Sequence, residues 1–225
     1  MVKPIIYCDF DGTITEKDNI IAVMKEFAPD GWEEIKDQIL SRQISVREGV
    51  GRLFSLIPSS KRDEIISFAI KNARIRKGFK EFISFAREEN IPLYIISGGI
   101  DFFVLAVLED FGPFDGIYCN GSNFEKETIE ILWPHECDSS CQNDCGCCKP
   151  SIIRELGHQD DFKILIGDSV TDLEAAKQVD FVLARDLLLE KCHEWNITHE
   201  PFETFLDCIE VIKNRIEVKE LNAKG

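Results

Sequence analysis

At 225 residues the chain is long enough for one sizeable hydrophobic core with a small insertion. Its 41 acidic residues against 26 basic ones leave a formal charge of -15, which disfavours nucleic acid and anionic membranes as partners. No basic stripe interleaved with aromatics offsets that charge, so the acidic excess reads as a solvated surface, and an anionic ligand needs a locally positive pocket.

The first predicted element is a buried strand, Ile5-Ile6-Tyr7-Cys8, which empties into Asp9-Phe10-Asp11-Gly12-Thr13. Two carboxylates two residues apart at a strand end raise at least one pKa unless a cation intervenes, which suits a nucleophile paired with a proton donor. Asp-Gly after an apolar run is also an ordinary turn signal. Met1-Val2-Lys3-Pro4 leads straight into this strand without a targeting segment. No apolar run approaches the ~18 residues of a membrane span, so a cytoplasmic location is expected. In that compartment the nine cysteines are expected to be thiols or metal ligands rather than disulfides.

Residues 16–76 turn helical in period. Trp32, Ile35 and Ile39 form one stripe. Ser45 with Glu48 reads as a capping box ahead of Val46, Val50, Leu53, Phe54 and Ile57. Ser60 with Asp63 starts a further helix through Ile66 and Ala69. The expectation is a helical insertion of roughly sixty residues, a small bundle of its own, set into a core formed by 1–15 and 77–225. From Gly78 the pattern alternates: helix 79–86, strand 93–96, helix 101–108, strands 117–119 and 129–132, and helix 151–156 ended by Gly157. Strand 163–166, helix 172–178, strand 181–184 and an amphipathic helix 205–216 with a polar tail complete it. Such alternation predicts an α/β fold with a doubly wound, mainly parallel sheet.

Three strands in this pattern end in small polar residues. The first reaches Asp9, the second reaches Ser97-Gly98-Gly99, and the third reaches Gly167-Asp168-Ser169 with Asp172 following. In an open parallel sheet the ligand crevice lies outside the carboxyl ends of the strands, so these ends should converge. Lys149, after a turn-rich cysteine stretch, offers the cation that such a set of acids lacks.

In order and spacing, DFDGT at 9–13, Ser97, Lys149 and GDSVTD at 167–172 resemble the phosphatase branch of the haloacid dehalogenase superfamily. The resemblance implies a Rossmann-like core with residues 16–76 as a helical cap over the crevice. It implies that Asp9 attacks phosphorus to form an aspartyl-phosphate, while Asp11 protonates the leaving oxygen and later activates water. It further implies Mg²⁺ on Asp9, the main-chain carbonyl of Asp11, and Asp168, with Asp172 as a supporting carboxylate. Hard carboxylate oxygens without nearby imidazole or thiolate favour the same ion. For Asp172 a helix-terminal acid interacting with the macrodipole is the competing reading. Ser97, with the N–H groups of Gly98 and Gly99, would hold a phosphoryl oxygen, although a simple N-cap would look similar. Lys149 would orient Asp9 and the phosphate as a point charge.

Residues 48–54 and 57–60, Trp133-Pro134-His135, and Cys147-Cys148-Lys149-Pro150 resemble the methionine-salvage branch of that family. This implies a small, methylthio-bearing enol-phosphate as substrate, with no nucleic-acid or membrane partner; the oligomeric state is not legible. A phosphoserine phosphatase is the alternative within the same chemistry, and a catalytically silent phosphate-binding module is the alternative outside it. The silent module is disfavoured because Asp9 and Asp11 are both present, and a dehalogenase because it has no use for the second acid. Asp18, Arg47 and Arg52 lie where the cap would grip a charged substrate, yet solvated helix charges look the same. Met24, Phe27 and Phe54 read as a methylthio pocket or as core packing. Cys137, Cys141, Cys145, Cys147 and Cys148, with His135 nearby, read as a structural Zn²⁺ site, as packed reduced thiols, or as a redox switch. In each case the loop ends at Lys149 and sets its reach.

Overall fold

A seven-stranded sheet organises the computed structural model, which describes residues 3–222, with side chains described through Arg215. The strands in chain order are β1 (Lys3–Cys8), β2 (Leu93–Ile100), β3 (Gly116–Asn123), β4 (Glu130–Leu132), β5 (Asp161–Gly167), β6 (Phe181–Ala184) and β7 (His199–Pro201). In space they run β4-β3-β2-β1-β5-β6-β7, and among the described residues only the β3–β4 pair is antiparallel. Ile6 of β1 lies between Leu93 and Ile164, and Cys8 lies between Ile95 and Ile166. The chain builds outward from β1 through β2 and β3, then returns to place β5 on the other side of β1. That reversal is the switch point at which an open α/β sheet forms its ligand crevice.

Side chains alternate across the central strand, so its two faces feed two cores. Ile6 and Cys8 join one cluster, whereas Ile5 and Tyr7 join the other. Four helices fall between β1 and β2: α1 (Asn19–Phe27), α2 (Trp32–Leu40), α3 (Val46–Phe54) and α4 (Arg62–Asn72). Next come α5 (Phe79–Glu88), α6 (Asp101–Leu108), α7 (Lys149–Leu156), α8 (Leu173–Ala176), α9 (Asp186–Glu194) and α10 (Phe205–Asn222). Helices α7, α8 and α9 cover the Tyr7 face. On the other face α5 and α10 meet through Phe79, Phe82 and Phe205, with ring centroids 4.9 and 5.1 Å apart.

The apolar stripes of the insertion do not close on one another alone. Val50, Leu53, Phe54, Ile65 and Ala69 belong to the same cluster as Phe102 and Phe103 of α6. Phe54 meets Phe102 edge-on at 6.3 Å. Isolated bridges from Thr15 to Ile75 and from Pro58 to Thr128 tie the inserted segment to its surroundings.

Several boundaries differ from the pattern-based reading. Strand 93–96 continues to Ile100 through a register shift, which carries Ser97 and Gly98 into β2. Helix 172–178 is a 3₁₀ turn over Val170–Asp172 followed by the short α8. The last helix passes 216 and reaches Asn222, while residues 223–225 of the expected polar tail lie outside the described residues. Ser45 accepts the Glu48 N–H at 2.9 Å, but the Glu48 carboxylate faces Arg52 at 3.5 Å. The reciprocal capping box lies instead at Ser169 and Asp172. Among the described residues, no helix is long and apolar enough to cross a membrane.

Candidate active site

The chain leaves β1 at Asp9 in extended geometry and enters a wide turn over Phe10–Ile14, closed by the Thr15 N–H to the Phe10 carbonyl at 3.0 Å. Gly12 has φ +79°, and a Cβ there would lie 2.2 Å from Asp168 Oδ2. Only glycine meets both demands, the left-handed backbone and the close approach. Arg76, buried to 7 % exposure, holds this turn from behind. Its Nε donates to the Thr13 carbonyl and one Nη to the Gly12 carbonyl, each at 2.7 Å. Longer bonds of 3.4 Å reach the carbonyls of Thr15 and Glu203. Nothing in the sequence pattern marks Arg76, because an arginine that serves main-chain carbonyls needs no partner type that a pattern could show.

Lys149 opens α7, with Pro150 in the first turn, and is only 2 % exposed. Its Nζ lies 2.7 Å from Asp9 Oδ1 and 2.6 Å from Asp172 Oδ1. The other Asp172 oxygen accepts the N–H groups of Asp168 and Ser169 at 3.2 and 3.1 Å. Asp172 therefore serves both as a capping acid and as an ion-pair partner. Asp168 Oδ1 accepts the Thr13 hydroxyl at 2.8 Å. Asp9, Asp168 and Asp172 each place one oxygen within 4.8 Å of the others.

Three carboxylates facing one ammonium is an unbalanced buried set. Burial, then the charge of Asp172, lifts the Asp9 carboxyl well above its ordinary range despite Lys149. The same two causes push Asp168 up to about 7. For Lys149, burial works against the charge, but Asp172 and Asp9 outweigh it and hold the ammonium protonated. A second cation would relieve this crowding, and an all-oxygen donor set without sulfur or imidazole fits Mg²⁺.

Asp11 turns away from this cluster. Its Oδ1 accepts the Asn19 N–H at 2.9 Å and the Asn19 side-chain amide at 2.7 Å. Its Oδ2 faces the Ser97 hydroxyl at 3.5 Å. Burial, reinforced by the charge of Asp18, pushes Asp11 up to about 7 against the pull of Asn19. Ser97 does not cap α6, whose N-cap is Ile100; its Oγ instead accepts the Gly99 N–H at 2.9 Å. The Gly98 carbonyl is held by Asn120 Nδ2 at 2.7 Å, and a side chain at Gly98 would meet nothing within 4 Å.

A cleft of about 460 Å³ opens at Gly98. It is lined by Ile39, Ile44 and Val46 from α2, α3 and their connection, and by Cys145 and Thr171. Arg42 also borders it, a cation the sequence reading did not single out. Asp18, Arg47 and Arg52 do not line this cleft, although Asp18 lies close enough to Asp11 for its charge to act on it. Asp18 caps α1 by accepting the Ile21 N–H, Arg47 pairs with Glu136 and Asp144, and Arg52 pairs with Glu48 and Gln38. Met24 and Phe54 are fully enclosed in the core, and Phe27 packs edge-on against Phe68.

The cysteine loop sorts its five thiols. Cys137, Cys141, Cys145 and Cys148 bring their sulfurs within 4.8 Å of one another. Cys147 points instead at the Tyr118 carbonyl, 3.7 Å away, and the His135 ring packs on the Tyr118 ring. All nine cysteines fall among the described residues, and none of them is in a disulfide.

Residues 6–177 match the haloacid dehalogenase-like hydrolase family. Over 214 residues the chain is 58 % identical to 2-hydroxy-3-keto-5-methylthiopentenyl-1-phosphate phosphatase of Geobacillus kaustophilus (strain HTA426), and 56 % identical to its counterpart in Geobacillus thermodenitrificans (strain NG80-2). Each match covers 95 % of this chain and 97 % of the relative. In fold the chain is similar to a substrate-bound phosphoserine phosphatase, with a TM-score of 0.69 at 15 % identity, covering 94 % of this chain and 99 % of that one. The family match runs from the central strand past the last of the clustered acids, and the relatives match nearly end to end. The chain thus belongs to the haloacid dehalogenase-like hydrolases.

Proposed function

We propose that the protein is a Mg²⁺-dependent phosphomonoesterase of methionine salvage, acting in the cytoplasm on a small phosphorylated metabolite. Its substrate is 2-hydroxy-3-keto-5-methylthiopentenyl-1-phosphate and its product 1,2-dihydroxy-3-keto-5-methylthiopentene. The substrate assignment follows the relatives that match the chain nearly end to end. The observation that carries the chemistry is the buried Asp9–Lys149–Asp172 array beside Asp168, with Asp11 held apart from it by Asn19. The cap is assigned to residues 16–76 and the phosphatase core to 1–15 and 77–225.

In this reading a carboxylate oxygen of Asp9 attacks phosphorus, and the bond from phosphorus to the substrate's enol oxygen breaks. Asp11, raised to about 7, delivers its proton to that oxygen. It then takes a proton from the water that attacks the aspartyl-phosphate, and the phosphorus–Asp9 bond breaks to release phosphate. Asn19 fixes Asp11 for both transfers, while Ser97 and the Gly98 N–H receive a phosphoryl oxygen. Lys149 anchors Asp9 and offsets phosphate charge. Asp9, the Asp11 carbonyl and Asp168 would hold Mg²⁺, with Asp172 supporting them. When bound, the ion neutralises the incoming dianion. Ile39, Ile44 and Val46 offer the methylthio tail an aliphatic wall.

The test is a side-by-side kcat/KM comparison of the methylthio enol-phosphate with phosphoserine, repeated with Asp9→Asn and with EDTA. We expect preference for the enol-phosphate and loss of turnover in both controls. Preference for phosphoserine would overturn the substrate, and turnover that survives Asp9→Asn would overturn the mechanism.

A further inference from the structure

We propose that Cys137, Cys141, Cys145 and Cys148 form a structural zinc site that straps the helical insertion to the helix carrying Lys149. Four sulfurs from one short loop lie within 4.8 Å of one another, and Cys141 Sγ is 3.8 Å from Cys145 Sγ. A tetrahedron with zinc–sulfur bonds of about 2.3 Å has an edge of about 3.8 Å. A disulfide needs its sulfurs about 2.05 Å apart, so this spacing is not that of a disulfide and matches the edge of a tetrahedral site.

The surroundings are those of a thiolate cluster. The Cys145 N–H donates to Cys137 Sγ at 3.4 Å, and the Ser151 hydroxyl donates to Cys148 Sγ at 3.0 Å. Arg154 in turn donates to Ser151 Oγ at 3.3 Å and grips Asp138 with two bonds of 2.6 and 2.8 Å. Such outer partners orient ligands and offset the charge of a tetrathiolate centre. The turn Asp144-Cys145-Gly146 is left-handed at two positions, φ 50° at Asp144 and 82° at Gly146, which folds the last ligands back over the first. Cys147, beside Cys148 in sequence, faces Tyr118 and leaves four donors, the number a closed structural zinc site takes. Binding exchanges up to four thiol protons for one Zn²⁺, with no change of oxidation state.

The strap follows from what the loop touches. Asp144, between two of the ligands, accepts the Ser45 hydroxyl at 2.6 Å and the Arg47 N–H at 3.2 Å, both at the start of α3. Cys148 is the residue before Lys149 and caps α7. One ion would thereby fix both the entry of α3 and the root of the buried lysine. Thiolates select Zn²⁺ over the hard cation expected at the carboxylates, so the two sites do not compete for one metal.

Metal analysis of the full chain, grown with zinc and passed through metal-free buffer under reducing conditions, should read one zinc per chain. Substitution by Co²⁺ should give the intense visible bands of a tetrahedral ion with thiolate-to-cobalt charge transfer. Cys147→Ser should keep one equivalent, whereas Cys145→Ser should lose it. A folded, reduced wild-type chain without zinc, or with iron in its place, would overturn the site, as would a cobalt spectrum without thiolate bands. Both variants keeping the metal, or both losing it, would overturn the ligand set. Should Cys145→Ser fail to fold, the wild-type content and the cobalt spectrum decide alone. Zinc removal should also open residues 136–144 to a protease specific for acidic residues, and unchanged cleavage would overturn the strap. These readouts need no substrate, so they stand or fall apart from the phosphatase reading.

Discussion

Replacing an acid of the active site should stabilise this protein when metal is absent. Asp168 makes one side-chain hydrogen bond, from Thr13, that an asparagine oxygen can also accept. Its carboxyl is lifted from 3.8 to about 7 by burial and by Asp172. For an acid so raised, folded and unfolded chains hold the same proton below about pH 4. As the pH climbs towards 7 the unfolded chain ionises first, and stability is lost across that window. A shift of about three units at ~1.4 kcal/mol each gives a ceiling of ~4 kcal/mol, and partial solvent access brings the expectation to ~2 kcal/mol. Asp168→Asn removes this penalty. In urea denaturation with EDTA at about pH 8, the variant should exceed wild type by ~2 kcal/mol, with the gap closing towards about pH 4. His135, whose pKa burial lowers, contributes a slope of opposite sign in both proteins and cancels in the difference. Added Mg²⁺ should restore wild type and stabilise the variant much less, because the ion loses one of its carboxylates there. A variant no more stable than wild type at pH 8, or a gap that does not change with pH, would refute this reasoning.

Gly12→Ala meets both the left-handed backbone and the Asp168 carboxylate, so thermal unfolding should show a loss of at least ~1–2 kcal/mol, with phosphatase activity falling alongside. Arg76→Met leaves the Gly12 and Thr13 carbonyls without their donor and should cost ~2–5 kcal/mol by denaturant titration, although Arg76 touches no reacting atom. Ile44→Asp places a charge on the aliphatic wall of the cleft and should raise KM for the methylthio substrate at least tenfold; an unchanged KM would move the tail elsewhere.

How much of this was legible depended on whether a residue's role is expressed in its neighbours along the chain. The central strand was visible because β1 is buried on both faces and so carries no polar alternation. Asp9 and Asp168 were visible as polar residues at the ends of such runs, and Lys149 through its place in the order of motifs. Arg76 was not, since it meets the Gly12 and Thr13 carbonyls only after the insertion has folded back. Asn19 was not either, since a polar residue in the first turn of a helix looks like any other even though its partner Asp11 is only eight residues away. Helix α9 lacked a start signal: it begins at Asp186 with φ 46° and has no side-chain cap. The three-residue edge strand His199–Pro201 contains no apolar residue except its proline. In the cysteine loop spacing alone could not separate Cys147 from Cys148, because a tight turn sends adjacent side chains to opposite sides.

The way the insertion is fastened has a mechanical side. Bridges at Thr15–Ile75 and Pro58–Thr128, with the Phe54–Phe102 contact, pin one flank of the insertion to α6 and the sheet. Swinging the whole insertion outward would strip that aromatic seam of its packing. The far corner, where the chain turns between α2 and α3 through Arg42 at φ 57°, is fastened separately, by Ser45 and Arg47 to Asp144 of the cysteine loop. A flap hinged along that aromatic edge would have the contacts of Ser45 and Arg47 with Asp144 as its latch. Product exit should depend on how readily that corner lifts, which makes turnover sensitive to solvent viscosity and to cross-links placed between this corner and the cysteine loop.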